Sequence, residues 1–310
     1  MNEADIGYVV EFAMTIIIER RLSFMRIYVC DDTFEAKMTA IYEAWAWAAA
    51  KNSETKKNGG THNAHDDIDF AINPVYQTDF LDEYIYVEAS SEKAEKVVNS
   101  IQRDISKEAY VAVYYAAISS DIQALYDIYS FLRFGFRFGY RATSMLSEPS
   151  VQRIMTYRRR IGNEVHHFRE FVRFSKIIIE RDEPKTEMYI SHIEPKSDIV
   201  YLVGGHFADR MPSEHWIIID DIRKKAAVHP ASLPTQEDKI EYAGFYSNMY
   251  QKYLTDEEYR SLTDIEELQD EYIDLWKTFF DAIGIKEREN YKCQRNLFPL
   301  WMRKHVTEFK

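Results

Sequence analysis

The sequence predicts an α+β fold: a mainly helical N-terminal half, a small antiparallel β-β-α-β-β layer and a helical C-terminal segment. Three observations carry that expectation. Glycine occurs 10 times and proline 8 times in 310 residues, against a usual glycine share of about 7%, so long helices should outnumber tight turns. Up to about residue 166 the apolar positions recur at three- and four-residue steps. Beyond Phe168 they run in short β-branched blocks separated by polar turns.

Residues 1–24 read as an extension outside the core. Their apolar run Phe12–Ile18 lies between Glu11 and Glu19, without a basic leader or a small-residue cleavage site, and is far shorter than the roughly 20 residues a bilayer span needs. A soluble, cytoplasmic chain with no membrane partner is expected. Met25-Arg-Ile-Tyr-Val-Cys30 reads as an edge strand. A helix capped by Asp31 or Asp32 then carries Phe34, Met38, Ile41, Tyr42 and Trp45 and ends near Ala50. Residues 51–88 lose periodicity and read as a loop insertion. Helices follow from Ser90, with Ala94, Val97, Val98, Ile101 and Ile105 on one stripe, then over about 107–119 and 121–139, and from Pro149 to about His166. Residues 25–165 are therefore expected to form a helical bundle around that insertion.

Residues 166–235 should form the antiparallel layer. Phe171–Ile179 and Glu187–Ile193 make one hairpin across Arg181-Asp-Glu-Pro-Lys, and His215–Asp220 with Ala226–His229 makes a second. Between them a short helix capped by Ser197 or Asp198 ends near Arg210. Residues 236–310 are expected as C-terminal helices packing on the rest, with Leu275, Trp276, Phe279, Phe280 and Ile283 as their apolar stripe.

The formal net charge of -12 taken as one number argues against a nucleic-acid partner, but it is unevenly spread. Residues 133–181 hold eleven Lys and Arg against four acids, a net +7, so the remainder carries -19. Residues 237–274 carry -9 and residues 286–310 carry +4. Arg133-Phe-Gly-Phe-Arg-Phe-Gly-Tyr-Arg141 spaces three arginines four apart with aromatics between them, a pattern able to grip phosphate and stack bases. Arg158, Arg159, Arg160, Arg169 and Arg173 extend this candidate nucleic-acid-binding set. The alternative is that Phe134, Phe136, Phe138 and Tyr140 are core residues, with the arginines pairing the acids of 237–274.

Two cysteines, Cys30 and Cys293, are too few for a disulfide framework, a four-thiolate zinc site or a cluster-binding triad. His206, Asp209 and Arg210 share one side of a short helix, and with His166, Glu164 and Asp220 they could line a polar pocket for acid–base work. His166, His206, Asp209, Arg210 and Asp220 are the catalytic candidates. The competing reading makes them a buried ion-pair network in which Asp220 or Asp221 holds Arg210. His62 and His65 could bind metal, although a solvated loop explains them, and no metal site or cofactor is assigned. His229-Pro-Ala-Ser-Leu-Pro is superficially similar to the substrate loop of uracil-DNA glycosylases but is equally a turn after a strand. Phosphate-loop, dinucleotide, nucleophile-elbow and zinc-protease motifs are missing from the sequence.

Several separated motifs resemble one uncharacterised bacterial family. They are Tyr28-Val-Cys-Asp-Asp-Thr-Phe-Glu with Ala40-Ile-Tyr-Glu-Ala-Trp, Arg159-Arg-Ile-Gly-Asn-Glu-Val-His166 followed by Phe171-Val-Arg-Phe, and His206-Phe-Ala-Asp-Arg210 with Trp216-Ile-Ile-Ile-Asp220. Leu275-Trp-Lys-Thr-Phe-Phe with Ile285, Arg288, Asn290 and Pro299 extends the match, which runs from about residue 25 to the end. Glu170 departs from the small residue expected at its position. Members of that family are described as probable DNA metabolism proteins with a domain of unknown function. They are typically encoded beside a radical-SAM protein suspected of DNA repair or modification, and some are fused to a uracil-DNA glycosylase-like domain. The resemblance implies a role in DNA metabolism or repair beside a radical-SAM or uracil-DNA glycosylase-like partner and names no reaction; together with the charge polarity it points to binding of single-stranded or damaged DNA through residues 133–181. This chain has no cysteine triad for the iron–sulfur cluster, so radical chemistry would belong to the partner. Two alternatives stay open: a nucleic-acid-processing enzyme using the His/Asp/Arg site, and a protein-interaction module whose acidic 237–274 face docks a basic partner.

Overall fold

Arg26–Cys30 forms strand β1 because its apolar residues are wanted on both faces: Tyr28, Val29 and Cys30 are all buried. The computed structural model describes residues 24–179, 186–231, 240–242, 245–247, 249–269, 278–279, 282 and 290–306. Their fold is α+β. The described residues separate into two compact units, 24–117 with 121–156, and 118–120 with 157–306. The boundary at 156/157 falls inside helix α5 (Pro149–Phe171), not at the change of periodicity near residue 166.

In the first unit, helix α1 (Phe34–Lys57) starts at Thr33, whose hydroxyl accepts the Ala36 N–H at 3.1 Å. Asp32 is not the cap; it lies 2.5 Å from Lys37 Nζ instead. Strands β2 (Ile68–Ile72) and β3 (Glu83–Tyr86) flank β1, both parallel to it. Two sequence expectations are corrected here. Residues 51–88 are not merely a loop insertion, since they contain the end of α1 and both outer strands, and β1 is the central strand rather than an edge. Parallel strands are joined by long crossovers and leave no hairpin turn to read. Helix α2 (Ser91–Ser100) runs into a π-helical turn (Ile101–Ile105), and helices α3 (Lys107–Ala117) and α4 (Ala124–Phe138) complete the unit. Its fully buried side chains include Met38, Ile41, Ile101, Ile128, Phe131 and Leu132.

The second unit is built on a five-stranded sheet of order β10-β7-β6-β5-β4. Its strands are β4 (Ser175–Ile179), β5 (Thr186–Ile193), β6 (His215–Asp220), β7 (Lys225–His229) and β10 (Tyr250–Tyr253). Both expected hairpins form, β4/β5 and β6/β7. Between them helix α6 (Val200–Arg210) crosses over, which sets β6 parallel to β5, so the layer is mixed in direction. Strand alternation divides its faces. Ile177, Ile190, Ile219 and Ala226 form one cluster with Leu254, Tyr259 and Leu262, the last two on helix α7 (Asp256–Gln269). Trp216, Ile218 and Ala227 point the other way, where Gly204 lets α6 approach Ala227 and Met249.

The described C-terminal segment begins with strands at Ile240, not with a helix. Strands β8 (Ile240–Tyr242), β9 (Phe245–Ser247) and β10 precede α7, and helix α8 (Tyr291–Leu297) follows later. Of the expected apolar stripe, Phe279 is exposed, while Leu275, Trp276, Phe280 and Ile283 lie outside the described residues, as do residues 1–23 and Arg181. Among the described residues, no helix is long and apolar enough to cross a membrane.

Candidate nucleic-acid interface

Helix α5 and the residues just beyond it carry His166, Arg169, Glu170 and Arg173 at three- and four-residue steps, and α6 ends with His206 and Arg210 one turn apart. In the second unit these two helix ends, with Val172, Phe174, Phe207 and Met211, wall a cavity of about 640 Å³. Phe174 fixes its base by packing edge-on against Phe207 at 5.0 Å and Trp216 at 6.4 Å, so the cavity is seated on the sheet core. Each helix C-terminus contributes roughly half a negative charge, which is one reason arginines are favourable there. Three guanidinium groups outweigh both termini and Glu170, leaving the cavity positive.

The donors are held at fixed points. Arg169 Nη2 donates to the Leu202 carbonyl at 2.8 Å, and its Nε is buried without a hydrogen-bond partner. Arg173 Nη1 donates to the carbonyls of Glu170 and Val172, each at 3.2 Å. His166 Nε2 lies 3.1 Å from Glu170 Oε1. Burial, followed by the positive charges of Arg169 and Arg210, pushes the His206 imidazole below its ordinary value, so it is neutral at neutral pH and can accept a proton.

The structure therefore brings His166, His206 and Arg210 together with Arg169 and Arg173, joining residues that sequence had divided between a catalytic and a binding set. It leaves others out. Asp209 is exposed and does not line the cavity. Asp220 is fully buried elsewhere, accepting the N–H groups of Ile222 and Arg223 and Nη1 of Arg223 at 2.9 Å. Neither Asp220 nor Asp221 holds Arg210, so that network has a different composition from the one expected. Glu164 caps backbone instead, accepting the N–H groups of Lys196 and Ser197.

The arginine stripe of α4 is broken. Gly139, at φ 61°, ends the helix, so Arg141 falls in the following 3-10 turn, exposed and stacked over Tyr140. Arg133 and Arg137 share a first-unit cavity of about 470 Å³ with Arg153 and Glu148. Arg133 is committed to Asp66 at 2.8 Å and Arg153 to the buried Asp127 at 2.6 Å. Arg158 is half-buried and Arg159 exposed, while Arg160 donates to Ser119 at 2.8 Å. Of the described acids of 237–274, Asp256 pairs with Lys224 and Glu258 with Lys252. Phe136 packs on Trp45, whereas Phe138 and Tyr140 are exposed. His62 pairs with Asp67 and His65 with the Tyr129 hydroxyl, each at 2.6 Å. His229 is buried on β7, stacked on Trp216, and is no open substrate loop.

Sequence reasoning missed one cluster in the second unit, made by Glu194, Asp221 and His305 with His192 behind them. Only the alternation of His192 and Glu194 along a strand end hinted at it, and no spacing rule reaches His305.

Residues 123–308 match the model of a family described as a domain of unknown function, DUF4130. The chain belongs to that family. The matched span runs from the start of α4 past α8 and so includes every residue of the 640 Å³ cavity. No curated protein matches the chain. No solved structure matches it either.

Proposed function

We propose that this DUF4130 chain is a DNA metabolism or repair protein that takes a backbone phosphate of single-stranded or damaged DNA in the cavity of Arg169, Arg173, Arg210, His166 and His206. It acts beside a radical-SAM or uracil-DNA glycosylase-like partner, as the motifs shared with the DNA metabolism family imply. The observation that carries the reading is the three guanidinium groups of Arg169, Arg173 and Arg210 set against the single acid Glu170 on the wall of one cavity. The planar fork suits a phosphate oxygen pair. Arg133, Arg137 and Arg141 in the first unit and Arg158, Arg159 and Arg160 in the second are proposed as further backbone contacts.

The test is fluorescence anisotropy with short single strands, intact and uracil- or abasic-containing, across a salt series. Arg173→Met and Arg210→Met should each weaken binding tenfold or more, the scale of a charge-assisted hydrogen bond worth about 1.5–3 kcal/mol. Each should also lower the log–log salt slope by about 0.7, the single-strand value per phosphate contact. Unchanged affinity and slope in both variants would overturn the assignment. His206 supports a second reading, a nucleic-acid-processing enzyme, because a neutral imidazole beside a bound phosphodiester can act as a general base. Turnover of a lesion-bearing strand that disappears in His206→Gln while binding persists would select that reading.

A further inference from the structure

We infer that the second unit contains a binding site for a divalent first-row transition-metal ion, formed by Glu194, Asp221 and His305. The three side chains each offer one ligand atom, and these atoms lie within 4.8 Å of one another. His305 Nε2 is 3.0 Å from Asp221 Oδ2 and 3.5 Å from Glu194 Oε1. Ligands bound at about 2.0–2.1 Å stand roughly 3–3.5 Å apart around a four- or six-coordinate ion, so these separations need little adjustment.

Three further features separate this cluster from an ordinary surface ion pair. Asp221 is only 8% exposed and His305 21%, so the donors are mostly withdrawn from water. His305 Nε2 is buried and, although near two carboxylates, has no hydrogen bond of acceptable geometry. Asp221 is oriented from behind by His192, whose Nδ1 lies 2.6 Å from the other carboxylate oxygen, Oδ1. Holding a ligating group by a second residue is how metal sites fix the direction of a ligand. The imidazole of His305 stacks on that of His192 at 5.9 Å, which limits its rotation.

The location follows from the fold. His192 and Glu194 lie at the end of β5 and Asp221 just past the end of β6, the two parallel strands, so the α6 crossover puts their carboxyl ends side by side. The phosphate cavity uses the opposite, C-terminal end of α6, and this inference does not depend on it. The charges are also consistent. Two carboxylates, Glu194 and Asp221, face one cation, Lys304, which bonds Glu194. A dication therefore meets a site of net -1 rather than a neutral one. One nitrogen and two oxygens favour zinc, cobalt, manganese or iron over magnesium, which prefers oxygen ligands alone.

The test uses Co²⁺ on the full chain carrying Cys293→Ser, because Cys293 is exposed and would bind cobalt by itself. Titration should give a one-to-one complex with a visible d–d band, displaced by Zn²⁺ and unaffected by millimolar Mg²⁺. His305→Gln and Glu194→Gln should each weaken Co²⁺ binding at least tenfold in protein whose circular dichroism is unchanged. Lys304→Met removes the cation competing for Glu194 and should tighten binding severalfold, whereas a purely structural ion-pair role predicts no change. The inference is overturned if no band appears, or if the band and affinity are the same in His305→Gln and Glu194→Gln.

Discussion

Asp220 does not line the cavity of His206 and Arg210 but pairs with Arg223, and Arg223→Met tests that buried pair. The Asp220 carboxylate has no exposed surface. It accepts backbone N–H groups from Ile222 at 3.0 Å and Arg223 at 3.1 Å, and Oδ2 takes Arg223 Nη1 at 2.9 Å. The same guanidinium donates to the carbonyls of Pro195 at 3.1 Å and Lys196 at 2.6 Å, tying the β6–β7 turn to the chain leaving β5. Deleting one partner of a buried pair costs about 3–5 kcal/mol, because an uncompensated charge is left behind. The two backbone donors remain, and Arg223 is itself 21% exposed. Both facts place the expected loss near the lower limit, about 3 kcal/mol. The design therefore adds Asp220→Asn to Arg223→Met. Neutralising the acid removes the stranded charge, so the double variant should be more stable than Arg223→Met alone by about 1–2 kcal/mol. Urea unfolding followed by tryptophan fluorescence reads both, with Trp216 fully buried on the same strand. Lys252→Met, which removes an exposed partner of Glu258, serves as the control with little expected effect. An Arg223→Met variant no worse than the control, or a double variant that loses the full sum of the two single losses, would refute the buried pair.

Other outcomes follow from single contacts. His206 is held below its ordinary value in the free chain, and a bound phosphate would raise it, so single-strand affinity should increase as pH falls from 7 through the window below about 6.5. For stability the sign is opposite: the contribution of neutral His206 is complete above about 6.5 and is lost as pH falls through its lowered folded value. Affinity that stays flat from pH 7.5 to 5.5, or the same pH dependence in His206→Gln, would refute the link. Adjacent glycines of α6 should behave oppositely. A methyl at Gly204 would sit 2.4 Å from Met249 Sδ and 3.0 Å from the Ala227 Cβ, whereas Gly205 has nothing within 4 Å. Gly204→Val should cost about 1–3 kcal/mol by overpacking, while Gly205→Ala should gain up to about 1 kcal/mol from helix propensity, both read by thermal unfolding. Ellman's reagent should label Cys293 in the native protein and Cys30 only on denaturation, since burial pushes the Cys30 thiol up to about 12. Two rapidly reacting thiols in the native state would contradict that burial.

How much was legible in the sequence depends on whether the signal is local. Both hairpins of the second unit were readable because β4/β5 and β6/β7 are short-range pairings with β-branched runs and a polar turn between them. β2 and β3 were not, because each pairs in parallel with β1 across dozens of residues. Glu83-Tyr-Ile-Tyr86 is also too short for periodicity to declare itself. The cavity shows the same division. The i, i+4 relation of His206 and Arg210, and of Arg169 and Arg173, is written in the spacing. That the end of α5 meets the end of α6 is tertiary information, and it moved Arg169 and Arg173 from a general basic surface into the His206 site. Gly139 carried the opposite lesson: Arg133, Arg137 and Arg141 keep helical spacing in sequence, but the left-handed residue between them removes Arg141 from the stripe.

If the cavity takes a DNA strand as proposed, the formal charge of -12 sets the terms of binding. At physiological ionic strength charges act over a Debye length of about 8 Å, so a phosphate in the cavity responds to Arg169, Arg173, Arg210 and Glu170 on its wall more than to acids beyond that length. At about 10 mM salt the screening length grows to roughly 30 Å and those acids repel the incoming polyanion. Contact strength and long-range approach therefore have opposite signs in this molecule. On the proposed reading, the cavity holds a strand most firmly where a phosphate reaches its three arginines. That arrangement suits a protein that captures an exposed or distorted segment and presents it to a partner better than one that coats DNA.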